Sequence, residues 1–176
     1  MAAIPIAPLA DHPPNRLERQ LQRLDEVPAF ARPWFRGVVM RRAVPFTGTA
    51  GLDFVQMGRE RVEIGLKNEK KVQNHIGGIH ASAINLLAET ATGMVVGMNL
   101  RDDCIPLAKA LKMAFKRRAT GAMRAVATLT PAQQALMQSS DKGEVTVQVT
   151  VTDEAGIEPV ECEFVWAWIP SGPLRN

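Results

Sequence analysis

VQNHIGGIHASAINLLAETATGMVVGMNL, residues 72–100, carries one formal charge at neutral pH, that of Glu89. From Ile79 to Met98 there is no proline, and Ala, Leu, Ile, Val and Met fall on every side, the pattern of a helix buried all round. At roughly 20 residues such a helix is long enough to span a bilayer. Asn85, Glu89, Thr90 and Thr92 make it too polar to face lipid. The expectation is a central helix with other elements wrapped around it.

Gly77 and Gly78 precede this helix, whose first turn leaves backbone N–H groups unpaired at the positive end of the dipole. Those donors suit an oxyanion. Asn74, His80 and Glu89 stand as N-x5-H-x8-E, with the N–H groups of Ala81 and Ser82 directly after the histidine. By helical spacing Glu89 shares a face with Ser82, Asn85, Leu86, Thr92, Gly93 and Val96, so small and polar residues accompany the carboxylate. Burial there predicts a raised pKa, as a general base requires.

This constellation resembles the central-helix motif of hotdog-fold acyl-CoA thioesterases of the phenylacetate-pathway type. In that motif an asparagine, a Gly-containing loop, a histidine and a helical Asp or Glu recur at this spacing. Upstream, VPFTGTAGLDFVQMGRERVEIGLKN is similar to the lead-in of a largely uncharacterised hotdog branch. Downstream, MAFKRRATGAMRAVATL resembles the second and third strands with their joining turn. The likeness covers roughly Val44 to Trp168. Ala81 and Ser82 replace the usual pair of glycines after the histidine, and Glu89 replaces the commoner aspartate; a backbone donor and a carboxylate remain at each place. The resemblance implies an α+β fold, an antiparallel sheet wrapped around one long helix. It also implies that Asn74 helps to hold the thioester carbonyl or an active-site water; otherwise Asn74 serves as a loop hydrogen-bonding residue. His80 is expected to hold the loop, and His75 to be structural or exposed.

The rest of the composition narrows the function further. At 176 residues with 46% apolar and 22% charged side chains, the chain fits one globular domain with a sizeable core. Cys104 and Cys162, without a CxxC or a Cys/His cluster, point away from a zinc site and from a secreted disulfide framework, so a reducing cytoplasm is the expected compartment and no metal is expected. Residues 1–14 lack a basic n-region and a continuous apolar h-region, and are expected to be a flexible arm. The net charge of +3 is small, but Lys109, Lys112, Lys116, Arg117 and Arg118 crowd into one segment. That cluster is either a solvated strand face and turn or an anion site. It lacks interleaved aromatics and a nucleic-acid fold signature. The phosphates of coenzyme A suit it, with Lys116, Arg117 and Arg118 the candidates.

Along the chain, Asn15 with Glu18 three residues on predicts a capped helix with a Leu17, Leu21, Leu24 stripe, ending before Pro28. PWFRGVVMRRAVPF predicts a second helix stopped by Pro45, with Trp34 and Phe35 in its packing face. These make an N-terminal helical segment, 15–43, before the sheet domain, 44–169, and a tail, 170–176. LDFVQMG and RVEIGLK read as strands. In LAKALKMAFKR, Leu107, Lys109, Leu111, Met113 and Phe115 fall on one face by period 2; a helix also fits by propensity, and the resemblance decides for a strand turning directly into MRAVATLT. Pro131 to Met137 suits a helical turn. Val145 to Val151 and Val160 to Trp168 alternate as a final hairpin.

Ala81 and Glu89 are eight residues apart on one helix, about 12 Å, too far for one carbonyl to touch both. The site is therefore expected to combine two protomers with antiparallel central helices in a homodimer or a tetramer, giving two equivalent sites per dimer. The resemblance implies the same arrangement, with an acyl-CoA or related thioester as substrate. A hotdog hydratase or dehydratase, and a non-catalytic acyl-CoA or fatty-acid binding protein, are the alternatives.

Overall fold

The computed structural model describes residues 12–23, 27–28 and 30–172. Leu24, most of the N-terminal arm (1–11) and the end of the tail (173–176) lie outside the described residues. Helices α1 (Arg16–Gln22), α2 (Arg32–Ala43) and α3 (Pro45–Ala50) precede strands β1 (Asp53–Gln56) and β2 (Arg61–Leu66). Helix α4 (Ala81–Asn99) leads to β3 (Cys104–Phe115), β4 (Met123–Thr128), α5 (Pro131–Ser139), β5 (Gly143–Asp153) and β6 (Val160–Pro170).

Among the described residues the six strands form one antiparallel sheet in the order β1-β2-β4-β5-β6-β3. Helix α4 packs against β2, β3, β4, β5 and β6. Its Leu87, Ala88, Ala91 and Val95 are fully buried against inward residues of the strands, among them Val62, Ile64, Ala125, Val147, Val151 and Phe164. A sheet laid around one long helix is the hotdog arrangement, and every strand read from the sequence is present.

The connectivity differs from the expected run of consecutive hairpins. β3 does not pair with β4; it lies beyond β6 at the far edge, while β4 sits between β2 and β5. Period-2 alternation fixes which residues face the core, but not which neighbour a strand takes. A second difference is a bulge: Ala108 pairs with Trp166 and Ala110 with Val165, leaving Lys109 as the extra residue. Opposed residues share a face. Leu111, Met113 and Phe115 therefore lie on the face of Phe164, Cys162 and Val160, while Leu107, opposite Ala167, lies on the other. One inserted residue reverses the alternation.

Pro45 both ends α2 and opens α3, where its missing N–H costs nothing at the first helical position. The packing expected of Trp34 and Phe35 is not found. They are 62% and 40% exposed, and α2 is buried instead through Gly37 and Met40. β6 also continues through Pro170, into the region read as tail.

The N-terminal segment is tied to the end of α4. Asn15 accepts from the Glu18 N–H at 3.0 Å in a capping box, and its Nδ2 donates to the carbonyls of Gly97 (2.8 Å) and Leu100 (2.7 Å), which α4 leaves unpaired at its C-terminus. Glu18 in turn takes two bonds from Arg59, each 2.7 Å. Asn15→Ala removes one cap and strands two carbonyls, so it should destabilise the protein by about 1–3 kcal/mol. Thermal unfolding should show this as a fall in Tm of about 3–10 °C; an unchanged Tm would mean that α1 is not coupled to the core.

Candidate active site

The loop before α4 is built by Asn74. Its Oδ1 accepts from the N–H groups of Ile76 and Gly78, both at 3.1 Å, its N–H donates to the Gly78 carbonyl at 2.8 Å, and Gly77 closes the turn at φ +78°. A positive φ of that kind favours glycine. The loop is pinned at its base by a bridge between Gln73 and Ile79 and by the His80 N–H donating to the Val72 carbonyl at 2.8 Å. The loop bond expected of Asn74 is present. It uses Oδ1, and Asn74 also lines the groove described below.

His80 is the N-cap of α4, and its Nδ1 accepts from the Ser82 N–H at 3.1 Å. Nδ1 is thus an acceptor and the ring proton is assigned to Nε2. This is a loop-holding contact, and it removes the Ser82 N–H from the set of free donors expected from the sequence. The N–H groups of Ala83 and Ile84 are taken by the His80 carbonyl. Among the described residues the Ala81 N–H is left without a partner, and Ala81 lines a groove of about 250 Å³ at the helix N-terminus. His75 is exposed and is not among the residues lining that groove.

The groove has apolar walls from Ile76, Ile84, Phe115 and Pro159, with Asn74, Arg117 and Arg118 on its rim. Two of the three basic candidates therefore stand beside the unpaired helix donor, where β3 ends. Arg118 also donates to the Ile76 carbonyl at 3.2 Å, joining the basic turn to the Asn74 loop. Lys116 is not part of the lining; it pairs with Glu161 at 2.9 Å. Lys109 is likewise paired, with Glu144. Phe115 is read from sequence only as a strand-face residue and Pro159 is not singled out, although the aromatic immediately before the Lys-Arg-Arg run is the available signal for the groove.

Glu89 lies elsewhere on α4. The helix is not buried all round: Asn85, Glu89 and Gly93, spaced by four, form a half-buried line that begins at exposed Ala81. The line is closed at its far end by the protein itself. The Trp166 ring lies against Gly93, where an added Cβ would meet it at 2.8 Å, and the ring N–H donates to the Thr92 hydroxyl at 3.0 Å. Leu17 of α1 covers Gly97. No donor among the described residues reaches the Glu89 carboxylate, and desolvation pushes its pKa above the usual glutamate range. Burial likewise raises the Cys162 thiol to about 11, so it stays protonated and unreactive near neutral pH. Among the described residues no group of three His, Cys, Asp or Glu side chains is placed to hold a metal.

The arrangement is similar to solved structures. A Pseudomonas aeruginosa protein of unknown function, described as a probable thioesterase, is 21% identical, with 77% of this chain and 93% of that chain covered and a TM-score of 0.68. A thioesterase family protein from Silicibacter pomeroyi is 15% identical over 75% of this chain and 94% of the other, with a TM-score of 0.60. A Haemophilus influenzae thioesterase is 13% identical over 74% and 87%, with a TM-score of 0.59. At such identities the likeness establishes the hotdog fold. No curated protein matches the chain in sequence. A family model, Domain of unknown function (DUF4442), matches residues 33–169, from the start of α2 to the end of the sheet, and the chain therefore belongs to the DUF4442 family.

Proposed function

We propose that the protein hydrolyses acyl-CoA thioesters, in the manner of the phenylacetate-pathway hotdog enzymes, at sites shared by two copies of the chain. The observation that carries this reading is a pair of complementary, unsatisfied groups on α4: the Ala81 N–H in the groove, and the half-buried Glu89 carboxylate two turns on. Eight residues of helix separate them by about 12 Å, so neither chain alone sets both on one carbonyl. A second copy with its α4 antiparallel would supply the missing partner to each. β3, 12 residues long, lies at the sheet edge, with Ile105 and Leu107 more than 40% exposed on one face and Leu111 on the other, an open edge suited to such pairing. The thioesterase names of several structural neighbours point the same way.

In this mechanism the thioester carbonyl sits against the Ala81 N–H and Asn74 Nδ2, at the positive end of α4. Glu89 of the second copy takes a proton from water as the water oxygen bonds to the carbonyl carbon. Negative charge gathers on the carbonyl oxygen, where the two donors hold it. Collapse of the intermediate breaks the C–S bond, and the coenzyme A thiolate leaves and is protonated. No step needs a metal. The Ala81 side chain in place of glycine leaves the backbone donor available to the carbonyl.

A thiol-release assay across short, aromatic and long acyl-CoAs tests the reading. Hydrolysis frees the thiol; hydration of an enoyl-CoA leaves the thioester intact; tight binding with neither product would make this a binding protein and overturn the proposal.

Arg117 and Arg118 are assigned to the coenzyme A phosphates because they border the groove. Reversing both charges should raise KM for acyl-CoA at least tenfold and flatten its dependence on salt, with kcat little changed. Lys116→Glu should do much less, since Lys116 already has Glu161. If KM does not respond to Arg117 and Arg118, their role is confined to the loop contact with Ile76.

A further inference from the structure

Helix α2 is turned inside out relative to its sequence. At 100° per residue, buried Gly37 and Met40 lie on one side, and Trp34, Phe35, half-buried Val38 and exposed Arg42 on the other. The Trp34 and Phe35 rings meet edge to face, centroids 4.8 Å apart. Phe30, in the turn before α2, is 89% exposed, and Phe46, on the first turn of α3, is 63% exposed. Four large aromatics stand in water within one 17-residue segment, residues 30–46, of a chain with only nine Phe and Trp residues. Such a concentration marks an interaction surface.

The charges near it select the partner. Between Val27 and Leu52 the sequence has Arg32, Arg36, Arg41 and Arg42 and not one Asp or Glu. Arg36 and Arg41 donate to carbonyls at Val55 (2.6 Å) and Leu52 (3.3 Å), which fixes α2 to the start of the sheet and holds its outer face outward. A second copy pressed face to face on this surface would set cation against cation. Anionic headgroups supply the opposite sign, and Trp and Phe are the side chains that settle at a lipid–water boundary. We propose that the outward face of α2, with Phe30 and Phe46, docks the protein on an anionic lipid bilayer. The contact is peripheral: among the described residues no helix is long and apolar enough to cross a membrane. The surface lies apart from the groove, so the proposal holds whatever reaction the groove performs.

Sedimentation of the full chain with vesicles tests it, using phosphatidylcholine alone and phosphatidylcholine with about one-third phosphatidylglycerol. The expected result is at least tenfold tighter binding to the anionic vesicles, weakened by salt. Trp166 and Trp168 are buried, so a blue shift of tryptophan emission on binding reports Trp34. Trp34→Ala should reduce binding at least tenfold, and Arg42→Glu, which leaves the aromatics in place, at least threefold. The proposal is overturned if anionic vesicles do not bind at low salt, or if both variants bind like wild type. It is equally overturned if Trp34→Ala converts a dimer into a monomer without lipid, which would give the face to a second copy.

Discussion

Glu89→Gln should lower thioester turnover by two or more orders of magnitude while the protein folds normally, the scale expected for loss of a general base. Gln fills the same volume, and no described donor depends on the carboxylate, so the substitution leaves no stranded partner. Two pH profiles accompany the loss. The base works ionised, so kcat/KM of the wild type should rise with pH through the raised pKa of Glu89, above the ordinary glutamate value. Stability should move the opposite way. A native carboxyl with a raised pKa binds its proton more tightly than the unfolded chain does, so native stability falls as pH climbs from the ordinary glutamate range through the raised value. Gln escapes that loss. At neutral pH the variant should therefore be at least as stable as wild type, with the difference closing in acid, as measured by Tm against pH. Wild-type turnover in the variant would end the catalytic assignment; a marked loss of stability at neutral pH would reveal a structural ion pair instead.

Complementation should restore a quarter of the sites. Glu89→Gln lacks the carboxylate, and Ala81→Phe places a bulky side chain at the carbonyl position, so each homodimer should be nearly inactive. In an equimolar mixture reassembled at random, half of the dimers are mixed. One of the two sites in each mixed dimer draws Ala81 from the first variant and Glu89 from the second. Recovery to about one quarter of wild-type activity is the expected outcome. Differently tagged chains that co-purify without any recovery would place the whole site in one protomer, against the 12 Å separation that helix geometry sets.

Much of this was legible in the residues themselves. Central helix α4 follows from a long, proline-free, nearly uncharged run, because burial on most sides leaves little room for charge. The Val145–Val151 and Val160–Trp168 alternations gave β5 and β6, since a strand with one face on a core has period 2. Asn15 with Glu18 placed one helix start, because caps are local chemistry. The Asn74 loop and the His80 cap are local in the same sense, confined to contacts within a few residues.

Other features required the whole chain to be assembled. The bulge at Lys109 that turns Leu107 away from Leu111 is a property of pairing with β6, invisible in β3 alone. α2 has apolar residues on both sides, so its sequence could not say which side meets the sheet; the backbone bonds of Arg36 and Arg41 decided it and left Trp34 and Phe35 outside. The Trp166 ring against Gly93 joins residues 73 positions apart and closes one end of the Glu89 line. The groove itself brings Asn74, Ala81, Phe115, Arg118 and Pro159 together from segments far apart in sequence. The sequence by itself determined the central helix, the loop before it and the cap that joins them, because charge, caps and periodicity act over a few residues. Tertiary structure alone decided what stands beside them and what stays open, because side-chain neighbours are set by strand order and register, which local propensity does not encode.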